Sequence, residues 1–129
     1  MPIDPNGPVP LYQQIADYIR QLVAAGVFRS AEALPSLRAL AVQLAVNPNT
    51  VQRAYDQLER EGLVYARRGL GLFVAERGAE LARNKSQEAL YQTFMQAILA
   101  GKAAQLSGEK IGAIFQRALA GADVKARNQ

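Results

Sequence analysis

Apolar residues recur at helical spacing from Leu11 to Val23: Leu11, Ile15, Tyr18, Ile19, Leu22 and Val23 share one stripe. The spacing predicts a helix over 10–25. Pro10 opens it, since its missing N–H suits a first helical position, and Gly26 stops it. Ahead of it Pro2, Pro5, Gly7 and Pro8 break any helix, so residues 1–9 read as an extended leader. Residues 27–33 read as a connector. Pro35 and Ser36 then open a second helix with Leu37, Leu40, Ala41 and Leu44 facing inward, and Ala45 and Val46 make a turn. Asn47 is a strong N-cap and Pro48 a strong first position for a third helix. That helix buries Val51, Ala54, Tyr55 and Leu58, runs to about Glu61 and ends at Gly62.

The period then changes. Residues 63–66 and 72–75 are short β-prone runs joined by Arg67-Arg68-Gly69-Leu70-Gly71, and two glycines in so tight a loop predict a hairpin. After Gly78 helical spacing returns. Leu81, Leu90, Tyr91, Phe94, Met95, Ile98 and Leu99 predict a long helix ending near Gly101. Ser107 caps a further helix carrying Ile111, Ile114, Phe115, Ala118 and Leu119, with Leu106 and Ile111 as a hydrophobic staple across the cap. The tail from Asp123 reads as mobile. Two amphipathic helices of this size make a poor independent core. Their stripes need the N-terminal domain or another chain, and the wide aromatic stripe over 90–99 favours another chain.

Two short helices across a tight turn, then a hairpin with arginines at its tip, is the layout of a winged helix-turn-helix. The fold class expected is therefore mainly α with a small β-hairpin. Residues 1–78 form an N-terminal winged helix-turn-helix. Residues 79–129 form a C-terminal two-helix dimerisation region, with Leu90, Tyr91, Phe94, Met95, Ile98, Ile111, Ile114 and Phe115 as its contact residues.

Composition narrows the chemistry. The chain has 129 residues, half of them hydrophobic, with no cysteine and no histidine. Disulfides, thiolate chemistry and cysteine-ligated zinc are excluded, and the usual general base is missing, so neither catalysis nor a cofactor or metal is expected. Gly69-Leu70-Gly71 lacks the rest of a dinucleotide fingerprint. No apolar run is long enough to cross a bilayer and the N-terminus lacks the regions of a signal peptide, so a cytoplasmic protein without membrane partners is expected. The net charge of +4 suits a polyanionic partner. Bulk charge does not locate the contact surface, however. Residues 1–78 hold eight arginines against seven acids, a net of +1, whereas residues 79–129 reach +3.

Placement does locate it. A recognition helix meets base edges mainly through its N-terminal residues. Asn47, Asn49, Thr50, Gln52 and Arg53 are polar and flank the inward Val51. Asn and Gln pair with adenine, Arg with guanine. Asn47 has capping as an alternative role, Thr50 has helix packing, and Gln52 and Arg53 have a merely solvated face. Arg38, in the first turn of the second helix, either reaches DNA or pairs with an acid such as Glu32. Arg67 and Arg68 suit phosphate or the minor groove, and Gly69 lets the backbone come close. Arg20, Arg29 and Arg60 have no DNA role in this scheme.

The segments 10–26, 34–44, 46–64 and 67–74 resemble the GntR family of bacterial transcription regulators, and the short two-helix tail is similar to its YtrA-type subfamily. By that resemblance Arg38, Asn49, Thr50, Gln52, Arg68 and Gly69 fall on DNA-contacting positions. Pro48 stands where some relatives carry a DNA-contacting arginine. Ala45 replaces a glycine common in the turn, which alanine fits if its backbone avoids positive φ. Residues 29–32 replace the usual turn before the second helix, and Leu72 a threonine late in the wing. The function implied is a homodimeric repressor on a pseudopalindromic double-stranded DNA operator, with its own operon and transport genes as targets. The alternative is a non-specific architectural DNA binder. A fused aminotransferase-like module, found in some relatives, would need far more chain than follows the wing. The sequence names no effector ligand.

Overall fold

The computed structural model describes residues 3–128. The element order is α1 (Leu11–Ala24), α2 (Leu37–Leu44), α3 (Pro48–Arg60), β1 (Val64–Arg67), β2 (Gly71–Val74), α4 (Gly78–Ala103) and α5 (Gly108–Arg127). This is a winged helix-turn-helix followed by two long helices, the mainly α class with a small hairpin. The chain divides into two compact units, one through Gln87 and one from Glu88.

The first unit owes its shape to apolar spacing. Ile15, Ala16, Ile19 and Val23 of α1 are buried, as are Leu40 and Ala41 of α2 and Val51, Ala54, Tyr55 and Leu58 of α3. Leu63, Val64 and Val74 of the hairpin region and Ala82 of α4 complete the same cluster. Each such large aliphatic contributes about 1.5–3 kcal/mol on burial. The Tyr55 hydroxyl donates to the Pro35 carbonyl at 2.8 Å, tying α3 to the segment that enters α2. Burial raises the Tyr55 pKa, so the phenol stays neutral and remains a donor.

Several local expectations are corrected. Pro10 lies outside α1 as its N-cap, with its carbonyl accepting the Gln13 and Gln14 N–H groups. Pro35 also lies outside its helix; the Ser36 side chain caps α2 by accepting the Ala39 N–H. Residues 3–9 of the leader are folded rather than extended, and Pro2 lies outside the described residues. The Gln14 amide donates to the Asp4 and Val9 carbonyls and its oxygen accepts the Asp4 N–H, clamping a turn against α1. The end of the 27–33 connector lies along β2: Ala33 forms an isolated bridge with Phe73, and Leu34 N–H donates to Leu72 O at 2.8 Å. The hairpin strands lie closer to the tip than expected, and Leu63 is a buried residue ahead of β1.

Ala45 has φ +55°, so the condition under which alanine fits the turn without strain is not met. Its N–H donates to Val42 O, and the Val46 N–H donates to Ala41 O. These bonds satisfy the end of α2 and hold the residue in a conformation that costs an alanine about 1 kcal/mol.

In the second unit α4 ends at Ala103, near Gly101 as expected, and the left-handed residue after it is Gln105. Gly101 itself serves close approach. A Cβ there would lie 3.1 Å from Ile111 Cδ1. Ser107 caps α5 by accepting the Lys110 N–H. α5 continues past Asp123, where a mobile tail was expected, to Arg127. Lys125 and Arg127 in its last turn suit the helix dipole.

Candidate nucleic-acid interface

The third helix begins as its sequence dictates. The Asn47 side-chain oxygen accepts the Asn49 N–H at 2.8 Å, and Pro48 follows at the first helical position. Asn47 is thus engaged as a cap, the alternative role noted above. Because Val51, Ala54, Tyr55 and Leu58 occupy the core, Asn49, Gln52 and Arg53 are left on the exposed side of the first two turns, with Thr50 half-buried. Two of these side chains are already held. The Gln52 amide donates to Asp56 Oδ1 at 2.8 Å. The Arg53 guanidinium lies 3.8 Å from the ring centre of Tyr12 on α1, a cation–π contact.

Arg38 is exposed in the first turn of α2. Among the described residues it forms no ion pair with Glu32 or any other acid. In the hairpin, Val64 pairs with Val74, Tyr65 with Phe73, Ala66 with Leu72 and Arg67 with Gly71. The loop needs its glycines, for Gly69 and Gly71 have φ of +77° and +106°. A side chain at Gly69 would meet no atom, so backbone conformation and not space selects glycine there. Tyr65 stacks on Phe73, and the Arg67 guanidinium lies 5.0 Å from the Phe73 ring centre. Arg68 has neither an ion-pair nor a ring partner among the described residues.

One open groove joins the helix to the wing. Gln52, Tyr55, Asp56 and Glu59 of α3 line it with Arg67, Arg68 and Gly69. Of the expected contact residues, Gln52, Arg67, Arg68 and Gly69 are brought together there. Arg38, Asn47, Asn49, Thr50 and Arg53 are not part of its lining. The two acids sit on the later turns of α3, so the side that tolerates phosphate is the helix start.

The Arg20 chemistry is structural. Arg20 on α1 forms a bidentate pair with Glu61, Nη2 to Oε1 at 2.8 Å and Nε to Oε2 at 3.2 Å, and a further bond to Asp17 at 2.7 Å. Lys85 adds a 3.3 Å contact to Glu61. Burial works against ionisation of Glu61, but the hydrogen bonds from Arg20 and Gln57 and the charges of Arg20 and Lys85 outweigh it and hold its pKa below the usual value. Burial likewise opposes the Arg20 charge, and Glu61 and Asp17 more than restore it.

In the second unit Leu90, Tyr91, Phe94, Met95, Ile98, Ile114 and Phe115 are exposed, and Ile111 is half-buried against Gly101. Phe94 and Phe115 meet edge to face at 5.7 Å between ring centres. Sequence reasoning missed the partners Tyr12 and Asp56. The second had a signal, since Gln52 and Asp56 are four apart on one helix face. The first had none, because only tertiary packing brings α1 beside α3.

The sequence pattern of bacterial regulatory proteins of the gntR family matches residues 11–74. The transcriptional repressor YtrA of Bacillus subtilis (strain 168) is 42% identical over 74 residues, which cover 57% of each chain. The chain thus spans about half the length of the curated relatives it matches. A GntR family transcriptional regulator from Listeria monocytogenes superposes with a TM-score of 0.74 at 33% identity, over 87% of this chain and 97% of that one. The DNA-binding domain of AraR, solved in complex with operator ORR3, superposes with a TM-score of 0.52 at 28% identity, over 58% of this chain and 90% of that one. From the match to its own winged region and the near-complete coverage of the Listeria regulator, the chain belongs to the GntR family, whose members are DNA-binding transcription regulators rather than enzymes, and is YtrA-like within it.

Proposed function

We propose that the protein is a homodimeric repressor that binds a pseudopalindromic operator in double-stranded DNA. The observation that carries this reading is the single groove shared by Gln52 of α3 and Arg67, Arg68 and Gly69 of the wing. A helix start placed in the major groove would set Asn49, Thr50, Gln52 and Arg53 toward base edges, and the wing would reach the neighbouring backbone. Arg38, free of acidic partners among the described residues, supplies a further phosphate or base contact. Asn47 contributes by fixing the helix start.

Dimerisation is assigned to residues 79–129. Leu90, Tyr91, Phe94, Met95, Ile98, Ile114 and Phe115 leave a broad apolar surface that a second copy would cover, with Ile111 beneath it. Two symmetric recognition helices would then enter successive major grooves about 34–36 Å apart. YtrA and the AraR complex support the reading by their function as a repressor and their operator-bound state. Among the described residues no helix is long and apolar enough to cross a membrane, in keeping with action on cytoplasmic DNA. The proposed targets are its own operon and transport genes.

The test is footprinting on DNA upstream of its own gene, at near-physiological salt with random-sequence competitor. A protected two-fold symmetric site, lost in Arg38→Ala and in Gln52→Ala, is the expected result. Uniform protection, abolished by competitor, would overturn specific repression in favour of architectural binding.

A further inference from the structure

The pairing of Gln52 with Asp56 has a direction. An ionised carboxylate only accepts hydrogen bonds, so Asp56 Oδ1 can engage only the amine side of the Gln52 amide, which it does at 2.8 Å. This contact fixes the flip of the amide. One N–H is used, and Oε1 has no partner among the described protein groups; with Asp56 on the N–H trans to Oε1, the remaining N–H and Oε1 lie side by side. Gln52 is otherwise exposed, whereas Asp56 is half-buried, so the acid is the steadier of the two. A donor beside an acceptor is the complement of adenine's major-groove edge, where N7 accepts and the N6 amine donates. Guanine offers two acceptors on the same edge and would face Oε1 with O6.

Resting on the reading that the start of α3 enters the major groove, we infer that Asp56 is a positioning residue that orients the Gln52 amide to select adenine. Asp56 touches no base in this scheme. Its charge, in the groove that also holds Arg67 and Arg68, opposes phosphate and lowers affinity for every sequence alike. Its acceptor oxygen acts on one base position only. The two effects are therefore separable, and a merely solvated helix-surface pair would show the first without the second.

The experiment uses the full chain and a pool of random-sequence DNA duplexes, selected for binding and sequenced. Wild type is expected to prefer adenine at one position of each half-site by about 10-fold or more, the discrimination of a bidentate pair. In Asp56→Ala that preference falls below about 3-fold at that position alone, while total binding rises because a repulsive charge is gone. Asp56→Asn loses the charge but keeps an Oδ1 acceptor, so binding rises and the adenine preference stays. If Asp56→Ala keeps the preference, or loses it equally at all positions, the inference is overturned. If Gln52→Ala abolishes the preference and Asp56→Ala does not, the inference falls while the base-reading role of Gln52 stands. If Gln52→Ala changes no position, the base-reading role of Gln52 falls and the inference with it.

Discussion

Residues 3–87 and residues 88–128 both carry apolar side chains at helical spacing, but the two units treat them differently. In the first, Ile15, Val23, Val51, Leu58, Leu63 and Val74 are withdrawn almost completely from solvent. In the second, no residue is fully buried, and Leu90, Tyr91, Phe94, Leu99, Phe115 and Leu119 remain exposed beside the one aromatic contact of Phe94 with Phe115. Three helices and a sheet can enclose a core from several directions, whereas two helices share only one seam. The first unit is therefore a self-sufficient scaffold for a site. The second leaves apolar surface uncovered, and that surface is the reason a second copy is proposed.

The largest test of this contrast strikes the unfinished half. Phe115→Asp should turn a dimer into a monomer at micromolar concentration, seen by analytical ultracentrifugation. Operator affinity should drop about 100-fold or more, because the two half-sites would no longer be bound as one. A variant that stays dimeric would place the interface elsewhere. In the closed half, Leu58→Ala should cost about 3 kcal/mol in denaturant unfolding, since Leu58 is fully buried and its loss leaves a cavity. An effect as small as that of a surface change would mean that the core can collapse around it.

A subtler effect concerns charge. The folded pKa of Glu61 is lowered, so its pairing stabilises the protein fully above the ordinary carboxylate value of about 4.3 and is lost as pH falls through the lower folded value. Glu61→Gln should therefore cost about 2 kcal/mol at neutral pH, between the values for exposed and buried pairs. The gap from wild type should shrink in unfolding curves taken below about pH 4. A gap independent of pH would show that packing rather than ionisation matters. The smallest expected change is a gain. Ala45→Gly relieves a left-handed alanine and should raise stability by about 0.5–1 kcal/mol, readable as a higher Tm. A loss would mean that the methyl group packs more usefully than its backbone is strained.

Much of the fold was legible because its signals are local. The N-caps Asn47 and Ser107, the stop at Gly62 and the buried stripe Val51, Ala54, Tyr55 and Leu58 depend on neighbours within a turn or two. The candidate site residues could be named for the same reason: the start of one helix and the tip of one hairpin are contiguous in sequence. Where signals were local but ambiguous, the placement slipped. Pro10 fits an N-cap as well as a first helical position.

What the sequence by itself determined is which segments become helices, where the wing turns, and which polar side chains lie at the start of α3. Only the tertiary structure decided that Tyr12 lies beneath Arg53, that Gln14 folds the leader onto α1, and that Glu61 gathers Arg20 and Lys85. It also decided that Ala33 bridges Phe73 and that Ala45 takes a positive φ. The physical reason is common to all of these. Each depends on groups far apart in sequence, or on backbone geometry imposed by packing, and intrinsic propensity at one position carries no record of either.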